Sequence, residues 1–327
     1  MAGITGQGTT YNLPNYTGEL FGVTPQDTPL LSSIGGLTGG TSVDSTVISW
    51  STYDLRSPDE ARQRLEGANA PTAEARVRAN VRNVLEIHQE QLEISYTKQA
   101  AIGLIGSNGT SHPYGVAGTG ANAVTAEVDW QLRQALVQIA RDVEVGFIKN
   151  SIVDPANNSS ARKTAGLQSV VTTNTKNNGD TPLDKDDVLD VMQACYDNGG
   201  LMEGDTRTLM CGSTQKRALS EAFVNGTDGY RWQDNNVGGV NVQTIETDFG
   251  KLNVMLNRHV PADEVYILSL EDLEACFLEI PGKGHFFVEE LAKSGSADKY
   301  QIYGEIGLKY GNEKKHGRLY NIGGYGS

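Results

Sequence analysis

The sequence predicts an α+β fold, and three observations support that reading. Two alternating apolar segments flank a charged excursion between Thr46 and Thr97, the pattern of a two-stranded ribbon. Apolar residues recur at three- and four-residue steps from Thr125 to Asn150, the pattern of one long amphipathic helix. From Thr164 onward, short β-branched runs alternate with capped helical segments.

The elements follow in order. Residues 1–45 are rich in Gly, Thr and Pro, hold no lysine or arginine, and show no sustained period. Two readings are open for them: an extended arm along a partner surface, which we favour, or an irregular segment packed on its own domain. Thr46 to Tyr53 alternates, with Ile48, Trp50 and Thr52 on one face of a strand. Asp54 to Val81 then holds five acids (Asp54, Asp59, Glu60, Glu66, Glu74) and five arginines (Arg56, Arg62, Arg64, Arg76, Arg78). Its bulky apolar residues are Leu55, Leu65, Val77 and Val81, too few to bury against one another. Such a segment is a linker or an arm that becomes ordered against something else. In the returning strand, Leu85 and Ile87 share one parity while Leu92, Ile94 and Tyr96 share the other, which predicts a β-bulge near Gln89 to Gln91. An isolated ribbon of this kind is marginal in water and needs a neighbour to lie on.

Gly103 to Gly120 is a glycine-rich crossing. Its GVAGTG reverses the glycine spacing of the dinucleotide fingerprint and no strand leads into it, so no cofactor site is expected. The helix after it has Thr125 as N-cap and Val128, Leu132, Ala135, Leu136, Ile139, Val143 and Phe147 as its stripe. At about 38 Å it reads as a structural beam. Asp184 with Asp187 forms a capping box for a helix that buries Val188, Met192 and Cys195 and stops at Asn198-Gly199-Gly200. Strands are predicted at 206–211, 240–245, 252–256 and 265–268, a helix at 213–223, and one helical turn capped by Ser269. Ile302, Ile306, Leu308 and Tyr310 share one face of a long strand; Gly311-Asn312 turns it, and His316 to Ile322 returns.

Bulk composition narrows the function. A net charge of -13 argues against a protein that grips phosphate backbones. Cys195, Cys211 and Cys276 are scattered, which reads as buried thiols in a reducing compartment. The first residues lack the pattern of a signal peptide, and no segment has the pattern of a membrane span. The five histidines, His88, His112, His259, His285 and His316, lack metal-ligand spacing, and no catalytic motif is present. The acid pairs Asp186-Asp187 and Glu289-Glu290 read as a helix start and a solvated strand face. No catalytic, cofactor or metal site is expected, and the chain is not expected to be an enzyme.

Three separated blocks resemble one known family. They are GITGQGTTYNLPNYTGELFGVTPQDTPLLSSIGGLTGG (Gly3 to Gly40), SWSTYDLR (Ser49 to Arg56) and YGEIGLKYGNEKKHGRLYNI (Tyr303 to Ile322). Together with the order of elements, they resemble the major capsid proteins of tailed bacteriophages, whose fold is shared with encapsulin shells. The resemblance implies an N-terminal arm (1–45) and an extended loop overlapping a neighbouring subunit (46–100). It further implies a peripheral domain with a spine helix (101–165), an axial domain (166–280), and C-terminal strands returning to the peripheral domain (281–327).

It implies hexamers and pentamers building an icosahedral head that encloses DNA without sequence-specific binding. Portal and scaffolding proteins, and a cement or decoration protein, are the implied partners. Assembly in a bacterial cytoplasm and residence in the virion follow, with no membrane. An encapsulin-type compartment with an enzyme cargo is the alternative. Arg56, Asp59, Glu60, Arg62, Arg64, Glu66, Glu74, Arg76 and Arg78 become candidate inter-subunit contacts. Some relatives carry a scaffolding domain before the arm; the arm-like wording here begins at Gly3, so none is expected. Some relatives link subunits by a lysine–asparagine isopeptide bond on the extended loop. No lysine precedes Lys98, so a shell held non-covalently is expected.

Overall fold

The computed structural model describes residues 26–56, 58–100, 127–201, 207–224, 232–237 and 240–324. The order is α1 (Pro29–Ser33), β1 (Thr41–Val43), β2 (Val47–Tyr53), β3 (Arg78–Val84), β4 (Glu86–Ser95), α2 (Tyr96–Ala100), α3 (Glu127–Lys149), α4 (Leu167–Val170) and β5 (Thr175–Thr181). Then come α5 (Lys185–Asp197), β6 (Arg207–Cys211), α6 (Ser213–Val224), β7 (Trp232–Val237), β8 (Val240–Thr247), β9 (Gly250–Leu256) and β10 (Val265–Ser269). The chain ends with β11 (Glu274–Leu278), β12 (Phe286–Glu290), β13 (Ala297–Lys309) and β14 (Gly317–Ile322). One sheet runs β1-β11-β13-β12 with β4 also on β13, a second runs β5-β14-β10-β6-β9-β8-β7, and β2 and β3 pair alone.

The chain divides into two compact units. The larger holds Asp27–Gln89, Ile139–Phe287 and Tyr303–Ser327; the smaller holds Met1–Gln26, Glu90–Gln138 and Val288–Ile302. In the smaller unit, Tyr96 N donates to Ser296 O and Leu291 N to Lys299 O, and Lys299 Nζ lies 3.3 Å from Glu93.

The core of the larger unit forms where α5 lies on the seven-stranded sheet. Val188, Val191, Met192 and Cys195 recur at helical spacing and meet Leu209, Val254, Val265, Ile267 and Leu319 from the strands. Each such side chain contributes roughly 1.5–3 kcal/mol by leaving water. The predicted capping box is present at Asp184 and Asp187, and the chain leaves the helix through Gly199 at φ 86°. Gly317 lets α5 approach β14, since a Cβ there would come within 2.8 Å of Cys195 Sγ. All three cysteines are buried free thiols. Burial pushes Cys195 and Cys211 up to about 12 and Cys276 up to about 11, so none is a thiolate at neutral pH.

Several expectations are corrected. Pro29 to Val43 is built into its own unit: Leu30, Leu31 and Ile34 are buried, and β1 pairs parallel with β11. The packed-segment reading therefore holds there, while residues 1–25 lie outside the described residues. No bulge interrupts β4, where exposure alternates unbroken from Glu86 to Ser95. The parity change seen in sequence comes from Leu85, which separates β3 from β4, and from the polar Glu86 and His88 on the inner face. Ser269 is buried and gives no side-chain cap to the turn at Leu270–Asp272. β13 and β14 are not a hairpin: β14 pairs antiparallel with β10 and parallel with β5. The segment 281–327 contributes strands to both sheets. The helix cap predicted at Thr125 and the crossing Gly103 to Gly120 fall outside the described residues.

His316 sits where β14 begins and is fully buried. Ser269 N donates to its Nδ1 at 3.4 Å, so Nε2 bears the proton and donates to Tyr310 O at 3.0 Å. The ring is neutral, and burial pushes its pKa below the usual histidine range; Asp272 and Glu313 pull it up, and Lys315 pushes it further down. The unfolded chain therefore binds this proton more readily than the folded one. The stability His316 contributes is present above about pH 6.5 and is lost as pH falls below that. The melting temperature of the unassembled subunit should drop between about pH 7 and pH 5.5, and less steeply in His316→Gln. Equal slopes in the two proteins would refute this.

Candidate functional site

The base of the ribbon is fixed and its tip is exposed. β2 and β3 pair antiparallel from Val47↔Val84 to Tyr53↔Arg78. Ile48 turns inward to pack with Leu85 and Cys276. Trp50 donates from Nε1 to Gly311 O at 2.6 Å and meets Tyr310 edge-on at 4.8 Å. Past Tyr53 the chain leaves regular structure until Arg78, and Leu55, Leu65 and Val77 are 72%, 86% and 78% exposed. Exposed leucine and valine on an irregular excursion give no stability to their own subunit.

Ion pairs give the tip its shape. Glu74 bonds Arg62, lies 3.4 Å from Arg76 and 3.7 Å from Arg56, and Arg62 also lies 3.7 Å from Asp59. The Arg62 hydrogen bond holds the Glu74 carboxyl below the usual range, with Arg76 and Arg56 adding to it. Asp54 pairs with Lys314 at 2.9 Å, and Arg82 with Asp154 at 3.2 Å. Of the nine candidates, Arg56, Asp59, Arg62, Glu74 and Arg76 are thus brought together within one chain. Glu60, Arg64, Glu66 and Arg78 are exposed, and among the described residues they have no ion-pair partner. The sequence reading gave the charges but not this internal pairing, because Arg62 and Glu74 are 12 residues apart on an irregular path.

Nothing else described has the makings of a catalytic centre. Ser42 Oγ lies 2.7 Å from His285 Nε2, whose ring stacks on Phe277. Among the described residues no carboxylate orients the other ring nitrogen, so the pair lacks the third group that a nucleophile–base arrangement needs. No group of three or more His, Cys, Asp or Glu could hold a metal among the described residues. No described helix is long and apolar enough to cross a membrane. The other buried charges are structural. Glu144 on α3 accepts from Leu30 N and Leu31 N and from Asn257 Nδ2, although burial raises its pKa. Glu86 accepts from Asn150 Nδ2 and Thr164 N.

The ribbon is thus anchored at its base and carries a charged tip that its own subunit leaves exposed. The family model described as SU10 major capsid protein matches residues 3–323. The chain belongs to the SU10 major capsid protein family. The major capsid protein of Escherichia phage Phieco32 is 26% identical to it, over 92% of each chain. In fold, the chain is similar to the capsid asymmetric unit of cyanophage A-1(L), with TM-score 0.64 and 11% identity over 96% of this chain and 98% of that one. It is also similar to the holo-SrpI encapsulin complex of Synechococcus elongatus, with TM-score 0.61 and 10% identity over 95% and 92%. The capsid protein is thus a shell-forming structural protein of the virion, with the mixed helix-and-sheet fold shared by phage capsids and encapsulins.

Proposed function

We propose that copies of this capsid protein assemble into hexamers and pentamers that close an icosahedral head around phage DNA. One observation supports this most directly: the β2–β3 ribbon is anchored at its base by Ile48 and Trp50, yet presents an exposed tip that its own subunit does not cover. In this reading residues 46–100 reach over a neighbour and 1–45 include an arm along a partner. The 101–165 segment with α3 forms the peripheral domain, and 166–280 lies around the capsomer centre. The contact is heterologous, so it generates rings and sheets of rings rather than two-fold dimers. The -13 charge suits a wall that encloses DNA without gripping it. Portal and scaffolding proteins complete the head, a decoration protein reinforces it, and assembly takes place in the bacterial cytoplasm. The shell has no enzymatic role. An encapsulin-type compartment shares the fold but packages an enzyme, and membership of a phage capsid family favours the head.

Electron microscopy of the purified chain should show closed particles; a monodisperse small oligomer at all concentrations would refute the proposal. The shell is held without isopeptide bonds, because no lysine amine precedes Lys98 and arginine stays protonated. Mature particles boiled in denaturing detergent should give one band near 35.2 kDa. A heat- and reductant-resistant ladder would show a covalent lock instead.

A further inference from the structure

The tip holds its own organising residue. Glu74 lies on the return path of the excursion and meets Arg56 near its start, Arg62 in its middle and Arg76 two residues on. The side chains involved are 35–49% exposed, so each pair alone is weak. Their convergence matters more, because one carboxylate ties together points of the excursion that no strand or helix holds. Charge is distributed accordingly. Five acids and five arginines between Asp54 and Val81 sum to zero, so the whole -13 resides elsewhere in the chain. A neutral excursion can approach the acidic body of a second copy without net repulsion. After the internal pairs are formed, Glu60, Glu66, Arg64 and Arg78 remain, two of each sign, beside the exposed Leu55, Leu65 and Val77.

We infer that Glu74 is a positioning residue for self-assembly: it fixes the ribbon tip in the free subunit, so that Glu60, Arg64, Glu66 and the exposed Leu55, Leu65 and Val77 meet a second copy of this chain in one arrangement. The inference rests on the shell reading above. A tip ordered before docking avoids the ordering cost at the moment of contact. The Arg62 bond lowers the Glu74 pKa, so the ionised carboxylate and its contacts persist to lower pH than for a free glutamate.

The test compares the parent chain, Glu74→Gln and Glu74→Asp. Light scattering gives the threshold concentration for particle formation, and hydrogen exchange reports on residues 54–77 of the unassembled subunit. Glu74→Gln should raise the threshold about fivefold and speed exchange across the tip, with the melting temperature unchanged. Glu74→Asp keeps the charge and should recover most of both effects. An unchanged threshold, or exchange as slow as in the parent, overturns the inference. So does a melting temperature lowered by several degrees in both variants, which would make Glu74 a fold residue only. If the parent itself forms no particles, the shell reading fails, and the exchange comparison still decides whether Glu74 orders the tip.

Discussion

Arg318→Met should destabilise the unassembled subunit by about 3–5 kcal/mol, because it strands a buried carboxylate. Arg318, on β14, places Nη2 2.5 Å from Glu264 Oε1 and Nε 3.2 Å from Glu264 Oε2. Its Nη1 donates to Gln168 O at 3.0 Å, while Gln168 Nε2 donates to Glu264 Oε1 at 2.8 Å. Tyr266 gives its hydroxyl to the same carboxylate, and burial raises the tyrosine pKa so that it remains a donor. One guanidinium thus joins β14, the start of β10 and α4, and the Glu264 side chain is only 4% exposed. Methionine keeps the apolar stem and removes every donor. Against a total stability of about 5–15 kcal/mol, the loss is a large share of what keeps the subunit folded. The control is Glu264→Leu with Arg318→Met, which removes both charges and should recover most of the stability. Denaturant unfolding of the two variants checks this. A single variant within about 1 kcal/mol of the parent would mean that the pair is effectively solvated.

What the sequence made legible was local, and what it hid was long-range. The β2 face of Ile48, Trp50 and Thr52, the Asp184–Asp187 box and the stop at Gly199 each depend on residues within a few positions of one another. The partners of β14 depend on β5 and β10, which no periodicity in 317–322 names. Asn83 shows the same limit. In the sequence it is one polar residue in a strand; in the fold it is fully buried. Its Nδ2 donates to Ala165 O and Leu308 O, and its Oδ1 accepts from Ala165 N. Glu86 and His88 even misdirected the reading of β4, because polar residues turned inward invert the usual parity rule. At the candidate site the balance of charge was visible, but the division between charges used inside the tip and charges left outward was not. That division depends on the path of an irregular loop, and it changes which arginines a test of assembly should target.

Arg64→Glu combined with Arg78→Glu should leave a folded subunit that forms no shells. Reversing Arg62 and Arg76 as well would confound the result, because both bind Glu74 and their reversal would unmake the tip itself. Arg64 and Arg78 are exposed and have no ion-pair partner among the described residues, so their reversal leaves every described contact within the subunit intact. The melting temperature should therefore stay within a degree or two of the parent, as surface substitutions change stability by only about 0.5 kcal/mol. Assembly responds differently. Each reversal removes an arginine and adds an acid, so the neutral excursion becomes strongly acidic against a body that carries -13. A single exposed pair is worth about 0.2–1 kcal/mol, but the penalty recurs at every contact around a ring, and closure multiplies it. Arg64→Lys with Arg78→Lys keeps the charge and should still assemble, with a higher threshold if bidentate carboxylate contacts are used. Sedimentation and electron microscopy distinguish the outcomes. Particles of normal size and yield from the double reversal would show that these two arginines do not face a neighbouring subunit.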